Sequence, residues 1–184
     1  MMTLSGQLLT LEDGTPTLSD IARGLSRIPR FVGQTDEPWT VAHHSLVVAN
    51  LADHQPDDEQ LILHGLLHDA HEMMTGDIPT TFKTFDMRCL QEQLDKRIYA
   101  AFGLPRPSPC QRQRIKDCDR QALLAEAYVL TPRHTYERIA SENEDAALYV
   151  VTHLVHDIRR YTSDDAGWLF EKLADLLIQK WGTT

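Results

Sequence analysis

The sequence lacks the long apolar runs and paired cysteines that mark several classes of protein. No stretch reaches the roughly 18 uninterrupted apolar residues of a membrane helix, and the chain does not open with a basic segment followed by an apolar one. The three cysteines, Cys89, Cys110 and Cys118, form no C-x-x-C pair and are too few for a disulfide framework. We therefore expect no membrane partner, no secretory signal, reduced thiols and a cytoplasmic location.

Positive charge is also scarce. The chain has 18 Lys and Arg against 27 Asp and Glu, which gives a formal net charge of −9. Binding to nucleic acid requires a basic surface that neutralises phosphates, so we expect no nucleic-acid partner. A small phosphorylated substrate is compatible with this charge, because a few cations and a metal can make one pocket locally positive.

The pattern that is present is helical. The 184 residues contain no repeat and no linker-like run, so we expect one domain over residues 1–184. Apolar residues recur at spacings of three and four along most of the chain, and only residues 7–11 suggest a short strand. The predicted helices cover roughly residues 19–27, 41–51, 57–75, 90–102, 109–130, 146–160 and 163–181. The expected fold class is all-α, an irregular helical bundle.

One apolar helix carries an unusual density of polar groups. Residues 64–72, HGLLHDAHE, hold three histidines and two acids within nine residues. Glu72 lies four residues after His68 and three after Asp69, so all three lie on or beside one helix face. Burying an unpaired carboxylate costs several kcal/mol, and a divalent cation removes that cost, since imidazole and carboxylate are a normal ligand mixture. The segment therefore indicates a metal site.

The chain contains a second His-Asp pair, His156-Asp157, which serves as a comparison. It lies in a more polar helix, has no acid three or four residues later and is followed by two arginines. We interpret it as a salt-bridged helix surface. A His-Asp pair alone is thus weak support for a metal site, and the surrounding pattern has to distinguish the two.

That pattern includes three segments. They are Val41-Ala-His-His-Ser-Leu46, His68-Asp69-x-x-Glu72-x-x-Thr-Gly-Asp77-Ile-Pro79, and Lys116-Asp-Cys-Asp119-Arg120. Their order resembles that of the HD-domain phosphohydrolases over roughly residues 17–130. The Glu-x-x-Thr-Gly-Asp-x-Pro extension resembles the branch of bacterial 5′-deoxynucleotidases and small phage dATP triphosphohydrolases. The block at residues 20–33, with its Arg-Phe-x-Gly ending, looks closer to the phage-like members. The resemblance implies an HD-domain helical bundle.

The resemblance implies four metal ligands, His44, His68, Asp69 and Asp119. The competing first ligand is His43, which lies about 100° around the helix from His44. We favour His44, because it shares the apolar face of that helix. The expected cofactor is one divalent transition metal, Co, Mn, Zn, Ni or Fe, with Mg as an alternative.

Two further histidines leave the number of metal ions open. His64 and His71 are either core histidines, hydrogen-bonded to carboxylates or backbone, or ligands of a second metal ion.

The resemblance also implies roles for nearby polar residues. Glu72 is the candidate general acid or base, because a carboxylate beside a metal can orient the attacking water. Asp77 is placed near the sugar or the metal water, and Arg30 and Lys83 are the expected phosphate-binding cations. Phe31 is the candidate aromatic that stacks on the base.

Trp39 is a second candidate for stacking on the base. An aromatic residue directly before a helix more often packs as a hydrophobic staple, and both interpretations stay open at this point.

The expected activity is metal-dependent hydrolysis of the 5′-phosphoester of a deoxynucleotide. We favour a dNTP triphosphohydrolase of the dATP type, which releases deoxynucleoside and triphosphate, because of the residues 30–33 and Lys83. The alternative is a 5′-deoxynucleotidase that acts on dNMPs. A non-catalytic metal-binding regulatory domain and a cyclic-nucleotide phosphodiesterase are more remote. We also expect a homo-oligomer, which is common in the family.

Overall fold

The computed structural model describes residues 1–10, 12–55, 58–140 and 145–181, without the side chains at 145–147 and 149. Asp57 and Gly182, at two predicted helix ends, lie outside the described residues. The α-helices are α1 (Leu18–Leu25), α2 (Val41–Asp53), α3 (Gln60–Leu67), α4 (Glu72–Thr75), α5 (Phe85–Ala101), α6 (Pro109–Leu130), α7 (Arg133–Ile139), α8 (Asp145–Ile158) and α9 (Ser163–Trp181). The all-α prediction is confirmed.

Pairing between extended segments is minimal in the described part of the chain. It consists of two isolated bridges, Met2 with Leu8 and Pro29 with Thr40. The predicted strand over residues 7–11 is therefore reduced to one bridged residue, and Leu11 lies outside the described residues. The second bridge joins the two ends of the loop that precedes α2, which places Arg30 beside the first ligand helix.

The predicted helix over residues 57–75 is interrupted. α3 ends at Leu67 and α4 begins at Glu72. Between them the chain forms tight i to i−3 hydrogen bonds, including Ala70 N–H to Leu67 O (3.0 Å) and Glu72 N–H to Asp69 O (2.9 Å). Such a tightened turn inside a helical stretch is typical of functional segments. Here it holds the His-Asp pair.

Helix α2 lies at the centre of the packing and contacts α3, α6, α8 and α9. The approach of α3 depends on Gly65, since a Cβ at this position would lie 3.2 Å from the Ala52 Cβ and 3.3 Å from the Val48 carbonyl oxygen. A larger residue would push the two helices apart. The close packing sets the distance between His44 on α2 and His68 just beyond α3.

Helix α6 carries two acids past the centre of the bundle. It begins with a Ser108 cap and Pro109 at its first turn, both of which favour a helix start. Asp119 and Glu126 lie seven residues apart along it and so face the same side. None of the described helices combines the length and apolar character needed to span a bilayer.

Candidate active site

Four side chains from α2, the turn after α3, and α6 converge on one point. The Nε2 atom of His44 lies 3.0 Å from Asp119 Oδ1 and 3.8 Å from Asp69 Oδ2. The Nε2 atom of His68 lies 3.2 Å from Asp69 Oδ2 and 3.9 Å from Asp119 Oδ1. Ligand atoms about 2.0–2.2 Å from one ion lie roughly 3 to 3.5 Å from each other. Two of the four separations lie in this range, and the other two exceed it by 0.3–0.4 Å, so a small adjustment would bring the four donor atoms to the spacing of one ligand set.

The hydrogen bonds of the two imidazoles fit the same interpretation. In each ring the Nδ1–H donates away from the centre, from His44 to Glu126 Oε1 (2.8 Å) and from His68 to the Gly65 carbonyl (2.7 Å). Each Nε2 atom is buried and forms no well-directed hydrogen bond within the described residues. Buried polar atoms are rarely left unpaired, and metal-binding histidines are oriented by a bond at the other nitrogen. These residues fit a divalent metal.

The carboxylates make the centre favourable for positive charge. Burial lowers the pKa of His68, but Asp69 and Asp119 outweigh it and raise that pKa to about 9. Burial and Arg30 lower the pKa of His44, but Glu126 and Asp119 outweigh them, so the pKa of His44 is raised overall. The negative charge of these carboxylates would stabilise a metal cation between the two histidines in the same way.

His43 and Trp39 have structural roles. Nδ1 of His43 accepts from the Thr40 backbone N–H (3.2 Å), and its Nε2–H donates to the Tyr161 carbonyl (3.0 Å). Both nitrogens are occupied, and the structure directs His44 rather than His43 toward the acids. Trp39 is 1 % exposed and stacks on His43 with ring centroids 4.7 Å apart. It packs at the start of α2 and cannot stack on a base.

A cleft of about 320 Å³, within the usual size range of small-molecule sites, borders the candidate metal centre. Its lining includes all the predicted substrate-binding residues together with Glu72 and two of the acids of the centre. Apolar and small polar residues complete the wall. The lining residues are Arg30, Phe31, Asp69, Glu72, Asp77, Ile78, Pro79, Thr80, Thr81, Lys83, Asp119, Leu123, Thr135 and Ile139.

Glu72 lies at the inner end of this cleft and is 1 % exposed. Burial, Asp69 and Asp77 raise its pKa to about 9, although Arg30 and Lys83 act in the opposite direction. Its Oε1 atom is 3.6 Å from Lys83 Nζ. A buried carboxyl that holds its proton near neutral pH can act as a general acid.

Arg30 is buried between two acids. Its guanidinium lies 3.4 Å from Asp77 Oδ2 and 3.6 Å from Glu126 Oε2. The next two residues, Phe31 and Val32, have φ values of 53° and 55°, which is uncommon outside glycine and a genuine outlier for a β-branched residue. The strained backbone therefore lies in the segment that places Arg30 between Asp77 and Glu126 and Phe31 in the cleft wall.

Glu126 is a residue of the site to which the sequence pattern assigned no role. It is fully buried, and it contacts both His44 and Arg30. Burial raises its pKa, but His44 and Arg30 outweigh burial and lower it, so it is ionised near neutral pH. The sequence feature that could have identified Glu126 is its position seven residues after Asp119, on the apolar stripe of α6.

The two remaining histidines of the motif differ from each other. His64 stacks on Tyr99 at 5.5 Å and its Nδ1 lies 3.2 Å from the Tyr99 hydroxyl, which favours a core role. Burial lowers its pKa and keeps it neutral. His71 Nδ1 lies 2.8 Å from Asp95 Oδ1. His71 also has a donor atom within 4.8 Å of donor atoms of Asp69 and Glu72, so a second metal ion stays an alternative.

The comparison pair His156-Asp157 lies on the surface, as expected. His156 Nδ1 is 3.3 Å from Arg159, and Asp157, with 71 % of its side chain exposed, pairs with Arg160 at 3.6 Å. Neither residue lines the cleft. The surrounding pattern, and not the His-Asp pair itself, distinguishes the two positions.

Comparison with known proteins agrees with this geometry. Residues 25–98 match the family model of the YfbR-like 5′-deoxynucleotidases. Over 137 residues the chain is 42 % identical to the uncharacterized protein RCAP_rcc00048 of Rhodobacter capsulatus, covering 67 % of this chain and 69 % of the relative. It is 32 % identical over 90 residues to the uncharacterized protein YfdR of Escherichia coli, covering 48 % of each.

A solved structure shares the fold. It is the cyanophage S-2L HD phosphohydrolase (DatZ), bound to dA and one catalytic Zn²⁺ ion, with a TM-score of 0.53 and 20 % identity over 90 % of this chain and 98 % of that one. The all-α bundle and the His-Asp motif are the features expected of the HD-domain class. The chain belongs to the HD-domain phosphohydrolase superfamily. Within it, the matched segment is similar to the YfbR-like family.

Proposed function

We propose that the protein is a metal-dependent phosphohydrolase that cleaves the 5′-phosphoester of dNTPs and releases deoxynucleoside and triphosphate. The observation that carries the proposal is the convergence of His44, His68, Asp69 and Asp119 at the inner end of the cleft. The match to a deoxynucleotidase family supports a deoxynucleotide substrate. The dA and Zn²⁺ in the related DatZ structure support a nucleoside in the cleft and a transition metal at the centre.

The four ligands would hold one divalent ion, which supplies Lewis-acid activation of the phosphoryl group and of water. Glu72 is the proposed proton-transfer residue. Hydrolysis requires that the attacking water lose a proton and that the 5′ oxygen gain one. Glu72 lies in the cleft wall with Asp69 and holds a proton near neutral pH, so it is suited to protonate the leaving oxygen. The carboxylate formed in that step is proposed to accept the proton that the attacking water loses.

The other cleft residues are proposed to bind the nucleotide. Phe31, Leu123 and Ile139 give an apolar wall suited to a base, and Asp77 is proposed to accept from a sugar hydroxyl. Lys83 is proposed to contact phosphate. Arg30 is fixed by its two carboxylate partners, and we propose that it presents its charge to the substrate in one orientation.

A second candidate is a 5′-deoxynucleotidase acting on dNMPs. The matched family model carries that description. The cleft also holds only two cations, Arg30 and Lys83, among its described lining residues, and two are enough for one phosphate. Both candidates break the bond between the 5′ oxygen and the α-phosphorus, so the metal centre does not distinguish them.

The test is product analysis with dNTPs and dNMPs in the presence of Mn²⁺, Co²⁺ or Zn²⁺. We expect deoxynucleoside and inorganic triphosphate from dATP, identified by anion-exchange chromatography, and no turnover by His44→Ala. Deoxynucleoside formed only from dNMPs would replace the first candidate with the second. No hydrolysis of either substrate, together with metal binding, would indicate a regulatory domain.

The homo-oligomer stays a prediction. Trp168 and Leu176 on α9 are 59 % and 65 % exposed, which is unusual for large apolar side chains. Size-exclusion chromatography with light scattering checks it, and a monomer at micromolar concentration would contradict it.

A further inference from the structure

A second cavity, of about 230 Å³, has the proposed ligand His68 in its wall. Asp69 and Asp119 line the cleft instead, and the two cavities have no described lining residue in common. The proposed metal centre therefore contributes residues to both cavities. We call this second one the basic cavity, after the cations Arg106, Arg112 and Lys116 in its lining.

The two cavities differ in the charge that is left to bind an anion. The cleft lining has two cations and four acids, of which Asp69 and Asp119 are proposed metal ligands. The basic cavity has three cations and, among its described lining residues, one carboxylate. A chain of phosphates is therefore attracted by the basic cavity.

The cations of the cleft are already engaged. Arg30 lies between Asp77 and Glu126, and Lys83 is 3.6 Å from Glu72. These two side chains suit a single phosphate at the centre better than an extended chain of three.

The cations of the basic cavity are less compensated. No ion pair of Lys116 is found within the part of the chain that the structure describes. The contact of Arg112 is a hydrogen bond donated to the neutral Pro107 carbonyl (2.7 Å). Arg106 forms an ion pair with Glu92 at 3.5 Å, and the two side chains are 39 % and 59 % exposed. Such exposed pairs are weak, so all three remain able to bind an anion.

The order of these residues along α6 gives the cavity a direction. Arg112, Lys116 and Asp119 are separated by four and three residues and share a face of the helix. At a rise of 1.5 Å per residue, Lys116 lies about 4.5 Å and Arg112 about 10.5 Å along the axis from Asp119. The cations therefore follow one another away from the metal centre, as the phosphates of a chain follow one another away from the α-phosphorus.

We propose that the basic cavity binds the β- and γ-phosphates of the substrate, as a polyphosphate subsite formed by Arg106, Arg112 and Lys116. The deoxynucleoside occupies the cleft, the α-phosphate lies at the metal centre, and the rest of the chain extends past His68. The inference rests on the proposed dNTP activity and deepens it. A nucleoside monophosphate leaves the subsite empty. The subsite, and not the metal centre, therefore distinguishes triphosphate from monophosphate substrates.

The test is calorimetric titration of the metal-loaded protein with inorganic tripolyphosphate. We expect binding by the wild type and at least about tenfold weaker binding by the Arg112→Ala/Lys116→Ala variant, since it loses two charge-assisted hydrogen bonds to the anion. Lys172→Ala, an exposed lysine of α9 that lines neither cavity, is the matched control and should bind as the wild type does. Arg112→Lys/Lys116→Arg should recover most of the affinity, and equal melting temperatures exclude misfolding.

The outcomes separate the subsite from the proposed function. Wild-type release of triphosphate from dATP, with the same tripolyphosphate affinity and the same KM for dATP in the double alanine variant, would overturn the subsite and leave the activity standing. Turnover of dNMPs alone, with tripolyphosphate binding that depends on Lys116, would overturn the dNTP assignment and support the subsite. A wild type that does not bind tripolyphosphate at all overturns the subsite.

Discussion

Glu126 lies behind the proposed metal centre and contacts both His44 and Arg30 without lining the cleft. It therefore allows the centre to be perturbed while all four proposed ligands stay in place. Its Oε1 atom accepts from His44 Nδ1–H at 2.8 Å, which fixes the tautomer and leaves Nε2 for the metal. We expect two replacements to weaken metal binding by different amounts.

Glu126→Gln keeps the shape and an oxygen acceptor but removes the charge, whereas Glu126→Leu removes both. Loss of such an outer partner typically reduces metal affinity 10–100-fold, or about 1.4–2.7 kcal/mol. We expect the glutamine variant near the lower limit and the leucine variant near the upper one. The difference between them measures the hydrogen bond separately from the charge.

Stability changes have to be separated from this effect, because Glu126 also compensates Arg30. Removing one partner of a buried ion pair costs about 3–5 kcal/mol, although Asp77 at 3.4 Å still compensates part of the arginine charge. The double variant Arg30→Met/Glu126→Leu removes both charges and is expected to recover most of that loss. It should nevertheless bind metal as weakly as Glu126→Leu, since His44 has lost its partner in both.

The measurement is calorimetric titration with Mn²⁺ or Co²⁺, with thermal unfolding of the metal-free proteins beside it. Glu137→Gln is the matched control, because Glu137 is an exposed acid of α7 that pairs with Arg133 on the surface. Wild-type metal affinity in both Glu126 variants would refute the reasoning. It would mean that the bond to His44 does not orient the imidazole for a metal.

Four further outcomes are expected. Glu72→Gln should retain metal affinity and lose about 10²–10⁴-fold in kcat, and unchanged kcat would exclude it as the proton-transfer residue. Alanine at both positions of His156–Asp157 should leave metal affinity and turnover at wild-type values; a large loss would mean that this pair takes part. Val32→Gly should raise the free energy of unfolding or leave it unchanged, because glycine tolerates the φ of 55°. Val150→Gly in α8 should lower it by roughly 0.5 kcal/mol, and equal losses would contradict the strain. With its folded pKa at about 9, above the usual 6.5, His68 stabilises the metal-free protein below pH 6.5 and loses that contribution as the pH rises toward 9. Metal affinity should rise over the same interval, because the proton must leave, and pH-independent binding would contradict it.

The sequence was sufficient for the features that depend on local spacing. The periodicity of α2 and α6 predicted both helices and the faces that carry His44 and Asp119. The break between α3 and α4 was not predicted, because residues 66–75 contain no glycine or proline that would mark it. A spacing of four between His68 and Glu72 also suits a continuous helix. Only the tertiary position of Asp69 requires the turn.

The remaining features depend on contacts between distant segments. Glu126 is recognisable only once Arg30 and His44 lie beside it, since a lone acid on an apolar stripe has no partner in the sequence. The sequence pattern predicts no phosphate contact for Arg112 or Lys116, because it does not show that both lie beside His68. Their relation to the metal appears when α6 is packed across His68.

Tertiary pairing also accounts for the strained loop before α2. Two successive non-glycine residues with positive φ, Phe31 and Val32, cost of order 1–3 kcal/mol each, and local interactions do not repay that cost. The compensation comes from Arg30, whose guanidinium is held by Asp77 and Glu126 and whose position requires the turn. The strain, the ion pair and the orientation of His44 are therefore parts of one arrangement, since Glu126 holds Arg30 with one oxygen and His44 with the other. A substitution that releases either contact acts on the loop at the cleft and on the metal centre together.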